Sequence, residues 1–547
     1  MRSPDTISGL LVRERRLTRV RPGQSARFPR RQVLPHHQAP RPRLRHQVER
    51  SAYPTRYAPV VVGSAALLLA GLLSLPLGWG ANTPVRAVLT LLCSLAGFAV
   101  LLVAGLRAHA PRIWRRRASR HKNSFLSLGL ILAIITLLVV AGGGRLTFGK
   151  SLAKSYWSDV ISFSYVNARL VLDKQNPYLS DPAFFPALRR FPYAIETPLR
   201  EGAFGQGFDY PTMGKLIAVE RAFLALPASR HGEFDPATLH SYPALSFLLY
   251  VPLIWAGIDN VLILNVATFA GLYAWQVWLA PQGERHWGAL AAASAAGLAL
   301  FSLFLDNEVI CLGFLLLAWH FRRRRWLGAV LLGLACAFKQ YCWFFAPFFL
   351  LDALLDGATP AASVAAPALT DARLHALRLL GAVKRLNWRA TLPFALIALA
   401  AFLAPNLPYL IASPGAWWAS LWLPQSAPLF PIGIGIIALF TGHLLPYIAP
   451  RFFTLLEGLA MLGALIAAIR WRALLGDGVL LLALIPLLFA FRSLPNYFGI
   501  APWIALYAAN MAYRARLGVE VAHVRRRVAT RPGRLGRQPL LSAYWLR

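Results

Sequence analysis

The sequence predicts an all-α polytopic membrane protein, and three observations carry the prediction. Of its 547 residues, 57% are hydrophobic and only 14% charged, with a mean hydropathy of +0.50, a balance suited to hydrocarbon. The apolar runs are continuous, whereas a membrane β-barrel would show short alternating segments. Finally, the formal charge of +35 is concentrated at the ends: residues 1–50 carry 13 Arg against 3 acids, and residues 512–547 carry 9 Arg against 1. Basic arms on an apolar body fit attraction to anionic membrane lipid and retention on the cytoplasmic side. No folded recognition motif accompanies them, so no specific nucleic-acid partner is expected.

In chain order, residues 1–58 are rich in Arg, Pro and His and hold too little apolar material to fold, which predicts a disordered cytoplasmic tail. Spans near 59–77 and 85–106 form a hairpin turning between Pro76 and Pro84. The basic linker that follows, with Arg115, Arg116 and Arg117, completes a unit at 59–122 and is cytoplasmic by the positive-inside rule. No signal-peptide core precedes the run near Val60, so the first span is expected to serve as its own targeting signal. A core of 123–511 begins with a span at about 125–143, ended by Gly142, Gly143 and Gly144.

The chain then stays outside the membrane from Arg145 to His240, a large extracytoplasmic loop. Apolar spacing predicts surface-lying helices at 160–172 and 213–226. The stretch Glu196–Asp209, with Gly202, Gly205 and Gly207, reads either as a loop that orders over a ligand or as a passive connection. Apolar runs resume at 243–257, 261–280 and 287–305 and break at Asp306-Asn307-Glu308 before Arg322 to Arg325. Strict full spans put Asp306 inside and the arginines outside, so one run is expected to be broken or re-entrant. Further runs at 326–351, 390–404, 428–441, 451–469, 478–491 and 497–511 bring the count to about twelve to fourteen segments. Pro405-Asn406-Leu407-Pro408 and Trp417-Trp418 read as an interfacial loop. A basic cytoplasmic tail occupies 512–547.

Polar residues inside these runs are the candidates for chemistry, because hydrocarbon penalises each one unless it is paired or faces a cavity. Asp159, in Ser155-Tyr156-Trp157-Ser158-Asp159, stands beside aromatics at a membrane mouth; it is a functional acid or an ordinary solvated aspartate in an aromatic belt. Lys339 either holds a lipid-linked phosphate as a point charge or snorkels to headgroups. Arg492 either adds a second phosphate contact or marks a membrane boundary. Asp306, Asn307 and Glu308 either position a sugar hydroxyl or a catalytic partner or form an interfacial turn, and His240, beside Tyr242-Pro243, either carries a proton or binds acceptor, or else caps or packs. Cys93, Cys311, Cys336 and Cys342 are scattered in apolar runs and read as small buried hydrophobes, and no HxxH or HExxH spacing occurs. Neither a metal site nor a cofactor is therefore expected, and no Gly-rich nucleotide loop is present.

Trp157-Ser158-Asp159, Asn176-Pro177-Tyr178, Tyr242-Pro243, Asn307-Glu308, Gly333 to Gln340 and Arg492 to Tyr497 occur in an order that resembles the GT-C superfamily of polytopic glycosyltransferases. Within it, the chain is similar to the bacterial glycosyltransferase 87 group of polyprenyl-phosphate-mannose-dependent mannosyltransferases, over roughly residues 125–511. Asp306-Asn307-Glu308 replaces the Gly-Gln element of many relatives, and Tyr242-Pro243-Ala244 the commoner Tyr-Pro-Pro. The resemblance implies inverting transfer of a sugar, mannose in that group, from a polyprenyl-phosphate donor to a lipid-linked or membrane-associated glycan. It implies Asp159 as general base, Lys339 and Arg492 as donor-phosphate ligands, and His240, Tyr242, Asp306, Asn307, Glu308, Gln340 and Tyr497 as candidate substrate contacts. The site would face outward from the cytoplasmic membrane. A secondary transporter or a flippase of polyprenyl-linked glycans is the alternative, since broken runs and intramembrane Lys and Asp suit an ion-coupled site.

Overall fold

A computed structural model describes residues 57–74, 83–107, 127–134, 159–179, 197–205, 207–227, 240–304, 306–355 and 387–529. Of the expected tail at 1–58 only Tyr57 and Ala58 are described, and of the expected span at 125–143 only 127–134; most of the basic linker, much of the 145–240 loop and the chain beyond 529 also lie outside these residues. The described chain is an all-α, multi-span membrane bundle. Four helices in it are long and apolar enough to cross a membrane, over Pro84–Ala104, Leu262–Leu279, Trp388–Ala412 and Pro450–Arg472. Leu396, Leu399, Leu459, Leu462 and Ile466 are exposed on the last two, as a lipid-facing surface requires.

An N-terminal hairpin, α1 (Ala58–Ser74) and α2 (Pro84–Arg107), packs tightly at Gly63 and Gly97. After it come α3 (Asp159–Leu172) and α4 (Met213–Ala225). α4 carries exposed residues, but α3 departs from the surface position expected of it: Ile161, Phe163, Val166 and Ala168 are buried together with Ser162, Ser164 and Asn167. The reason is tertiary. α3 lies against two short helices, α5 (Leu245–Leu248) and α6 (Val251–Trp255), and the Tyr165 hydroxyl donates to Asp259 at 2.9 Å. The apolar run at 243–257 is thus two helical pieces, each far shorter than a span.

The bundle continues through α7 (Leu262–Leu279), α8 (Arg285–Phe304), α9 (Glu308–His320), α10 (Arg325–Phe338), α11 (Ala346–Leu355), α12 (Trp388–Ala412) and α13 (Pro414–Ser426). Pro405 to Pro408 lies inside α12, where an interfacial loop was expected. Asn406 anchors the segment: its amide donates to Phe402 O at 2.7 Å, and its Oδ1 accepts from Ala244 N at 2.9 Å and Trp417 Nε1 at 3.1 Å. Neighbouring groups satisfy polar atoms around helical prolines, so the helix persists. α10 and α12 touch at Gly333, where a Cβ would sit 2.2 Å from Ala398 O.

Strand β1 (Ile432–Gly433), α14 (Ile437–Thr441) and α15 (Pro450–Leu475) follow. Next come 3₁₀ segments at Gly476–Leu484 and Pro486–Phe489, β2 (Arg492–Ser493), α16 (Pro495–Phe498) and α17 (Ala501–Ala529). The expected spans at 428–441 and 478–491 are therefore strand, short helix and 3₁₀ turns. The parallel pairing of Ile432 with Arg492 and Gly433 with Ser493 needs glycine: Gly433 has φ of 148°, and a Cβ there would meet Ser493 O at 2.2 Å. A Cβ at Gly435 would meet Leu488 O at 2.1 Å.

Candidate functional site

Two breaks between helices build the centre of the site. α10 stops at Phe338 because Lys339 adopts an extended conformation, and α9 starts at Glu308 after the turn at Asp306-Asn307. These ends meet. Lys339 Nζ donates to Asp306 Oδ1 at 2.6 Å and to Glu308 Oε1. From α16, Asn496 Nδ2 donates to Glu308 Oε1 at 2.9 Å and to Asp306 Oδ2. The three ionisable residues are buried, Lys339 at 2%, Asp306 at 7% and Glu308 at 4% exposure. Glu308 also opens its helix, where the N-terminal partial charge favours an acid. Such charges are costly away from water unless paired, and the shared hydrogen bonds offset that cost.

Aromatic residues enclose the cluster. Lys339 Nζ lies 4.9 Å from the centroid of the Tyr242 ring, a cation–π distance. Tyr341 and Tyr497 stack at 5.5 Å. Tyr242 is held from behind by Tyr178, whose hydroxyl donates to Tyr242 O at 2.9 Å. The Asn176-Pro177-Tyr178 turn that presents Tyr178 is fixed by Asn176 Oδ1 accepting from Tyr178 N at 3.0 Å. His240 packs at steep ring angles among Tyr178, Tyr242 and Phe247, edge-on to the last two. It precedes α5 and belongs to no membrane-crossing helix. Burial pushes its imidazole down to about 3, against a smaller upward pull from the backbone at Tyr242.

The cluster forms one wall of a cavity of about 650 Å³. Of the residues singled out in the sequence, Tyr242, Asp306, Glu308, Lys339, Gln340, Arg492 and Tyr497 line it. His240 and Asn307 are buried behind this lining. Gln340 Nε2 donates to Ser241 O and joins the end of α10 to the segment before α5. Arg492 is half-buried on β2, and no acid pairs with its guanidinium among the described residues. The remaining wall is largely apolar, with Phe163, Trp343, Phe344, Trp422, Met461 and Phe491. Asp159 is the first residue of α3; its side chain lies outside the described atoms, while the next residue, Val160, lines the cavity.

Sequence reasoning passed over several lining residues. Asn496 stood in a noted motif, but only its contact with both carboxylates shows its place. Glu457 of α15, and Gly71 and Ser74 of α1, also line the cavity; nothing in their local sequence distinguishes them from other helix residues. The glycine-bearing 196–209 stretch reaches the same edge: Leu199 pairs with Leu429, Arg200 N donates to Pro428 O at 2.7 Å, and Thr197 and Leu429 both line the cavity. No three His, Cys, Asp or Glu side chains converge as a metal set among the described residues.

Chemically, the described residues give the cavity an apolar chamber, one cation available to an anion, and a hydrogen-bonding cluster of buried charges, which together suit an amphipathic ligand with a polar head. No family model, no curated protein and no solved structure matches this chain.

Proposed function

We propose that the protein is a glycosyltransferase that moves a sugar from a polyprenyl-phosphate donor to a lipid-linked or membrane-associated glycan, at a site facing outward from the cytoplasmic membrane. The observation that carries this reading is the cavity itself, where Arg492, which has no acid partner among the described residues, and the Lys339 cluster share one chamber with an apolar wall beside the start of α3. The polyprenyl chain takes the apolar wall, and Arg492 holds the phosphate. Because Lys339 is engaged by Asp306 and Glu308, its charge reaches the phosphate only as part of a cluster. The ordered motifs and their resemblance to GT-C glycosyltransferases support the same assignment.

In the proposed reaction the acceptor hydroxyl attacks the anomeric carbon while Asp159 takes its proton, given hydrogen-bonding reach. The new bond joins the acceptor oxygen to the anomeric carbon, and the bond from that carbon to the phosphate oxygen breaks. The bonding pair leaves with polyprenyl phosphate, whose growing charge Arg492 stabilises as a preorganised electrostatic partner. One displacement inverts the anomeric centre. The sugar of the resembled group, mannose, is the first donor to test.

The experiment is a product search with purified protein in nanodiscs, a panel of polyprenyl-phosphate sugars and a membrane glycan extract. Mass spectrometry should find one sugar added to an acceptor, dependent on donor and with inverted configuration. Ion coupling is the second reading, favoured by the buried Lys339–Asp306–Glu308 cluster. Donor bound without product, together with labelled lipid crossing the bilayer, would replace transfer with transport.

A further inference from the structure

The charge of the cavity runs against that of the chain. The whole sequence carries a formal +35, yet the described ionisable residues lining the cavity are three acids, Asp306, Glu308 and Glu457, and two cations, Lys339 and Arg492. Lys339 is shared by two carboxylates, and Arg492 has no acid partner among the described residues. Tyr497 lines the same cavity, within electrostatic reach of Arg492, Lys339, Glu308 and Asp306. The cavity therefore has a cationic spot for one anion and, apart from it, a cluster in which two carboxyl groups share one ammonium.

A second observation points the cluster at a ligand. Glu308 is 4% exposed, and while its Oε1 accepts from Lys339 and Asn496, its Oε2 is buried and accepts no hydrogen bond from any described group. A buried carboxyl oxygen without a donor bears its desolvation uncompensated, so a ligand donor, above all a charged one, gains by meeting it. Tyr242, Tyr341 and Tyr497 add aromatic faces that favour a cation.

We infer that Glu308, with Asp306, forms a subsite for a basic amino group on the transferred sugar, so that the preferred donor is a polyprenyl monophosphate of an amino sugar. This rests on the proposed donor reading and narrows it. Among the described residues, one arginine without an acid partner matches the single charge of a sugar phosphodiester, whereas a diphosphate-linked donor would bring a second negative charge into a cavity that also holds Glu308 and Asp306. An ammonium at the cluster gives the second carboxyl group a cation of its own.

The test is equilibrium binding to the full chain in nanodiscs of phosphatidylglycerol and phosphatidylcholine. The probes are a polyprenyl-phosphate hexose, its positional amino-hexose isomers, and the N-acetylated form of each isomer. One free-amine isomer should bind roughly tenfold or more tighter than its hydroxyl and N-acetyl counterparts, the effect of one charge-assisted hydrogen bond. Glu308→Gln should erase that difference. The wild-type comparison of amine with N-acetyl stands by itself should the variant fail to fold.

Equal binding of all three head groups overturns the subsite and leaves the polyprenyl donor reading intact, as does an amine preference that persists in Glu308→Gln. A separate arm compares phosphatidylethanolamine with its N-acetyl derivative. If the amine preference appears only there and no polyprenyl lipid binds, the amine subsite stands with a membrane phospholipid as its ligand, and the polyprenyl donor reading falls.

Discussion

Lys339 holds Asp306 and Glu308 at once, so its removal strands two buried carboxylates. Lys339→Met should lower stability by roughly 3–5 kcal/mol, the cost of breaking a buried pair from one side, seen as a reduced melting temperature in nanodiscs. Adding Asp306→Asn and Glu308→Gln should restore much of the loss; no recovery would mean that Lys339 acts through something other than these acids. Arg492→Gln should change stability by less than about 1 kcal/mol, since no acid loses its partner, while weakening binding of a lipid phosphate. His240 gives the pH signature. Its folded value of about 3 lies below the ordinary 6.5, so the buried neutral ring contributes fully above pH about 6.5, and that contribution falls as the pH drops from there toward 3. His240→Phe should flatten this part of the melting-temperature profile. Lys339, Asp306 and Glu308 were legible as costly intramembrane charges. Their mutual pairing was not, because residues 306 and 339 are joined only when the turn before α9 meets the end of α10.

Among the elements, α12 depends on a single amide. Asn406→Leu would leave Ala244 N and Trp417 Nε1 without their acceptor, at about 1–3 kcal/mol for each buried donor. Thermal unfolding should shift accordingly, and a variant as stable as wild type would show that α5 and α13 do not need this anchor. Gly333→Ala should separate α10 from α12, because the new methyl meets main-chain oxygen at Ala398; the expected loss is about 1–3 kcal/mol, as for an overpacked core. Local sequence misled here for identifiable reasons. Two prolines around Asn406 suggested a loop, but the asparagine's bonds keep the helix intact. Apolar spacing placed α3 on the surface, but its polar positions Ser162, Ser164 and Asn167 are buried too, which amphipathic spacing does not anticipate. The 478–491 run had the composition of a span, and its 3₁₀ geometry was invisible in apolarity.

On the scale of the whole molecule, the membrane bundle was legible because hydrocarbon demands long apolar runs whatever the tertiary arrangement. The part played by the N-terminal hairpin was not. It lies outside the stretch that carries the family resemblance, yet Tyr57 donates to Asn510 at 3.1 Å, Ser94 donates to Ile434 O at 2.7 Å, and Gly71 and Ser74 line the cavity. Deleting residues 1–107 should therefore yield a core that is not monodisperse on size exclusion; a well-behaved truncated core would make the hairpin an accessory. In the proposed reaction phosphate binding and proton removal belong to different residues. Donor binding and single-turnover product, measured in parallel for wild type, Arg492→Gln and Asp159→Asn in the same nanodiscs, separate the two roles. The expected result is weakened donor binding in Arg492→Gln, and wild-type binding with almost no product in Asp159→Asn. Sugar transfer at the wild-type rate by Asp159→Asn would contradict the account.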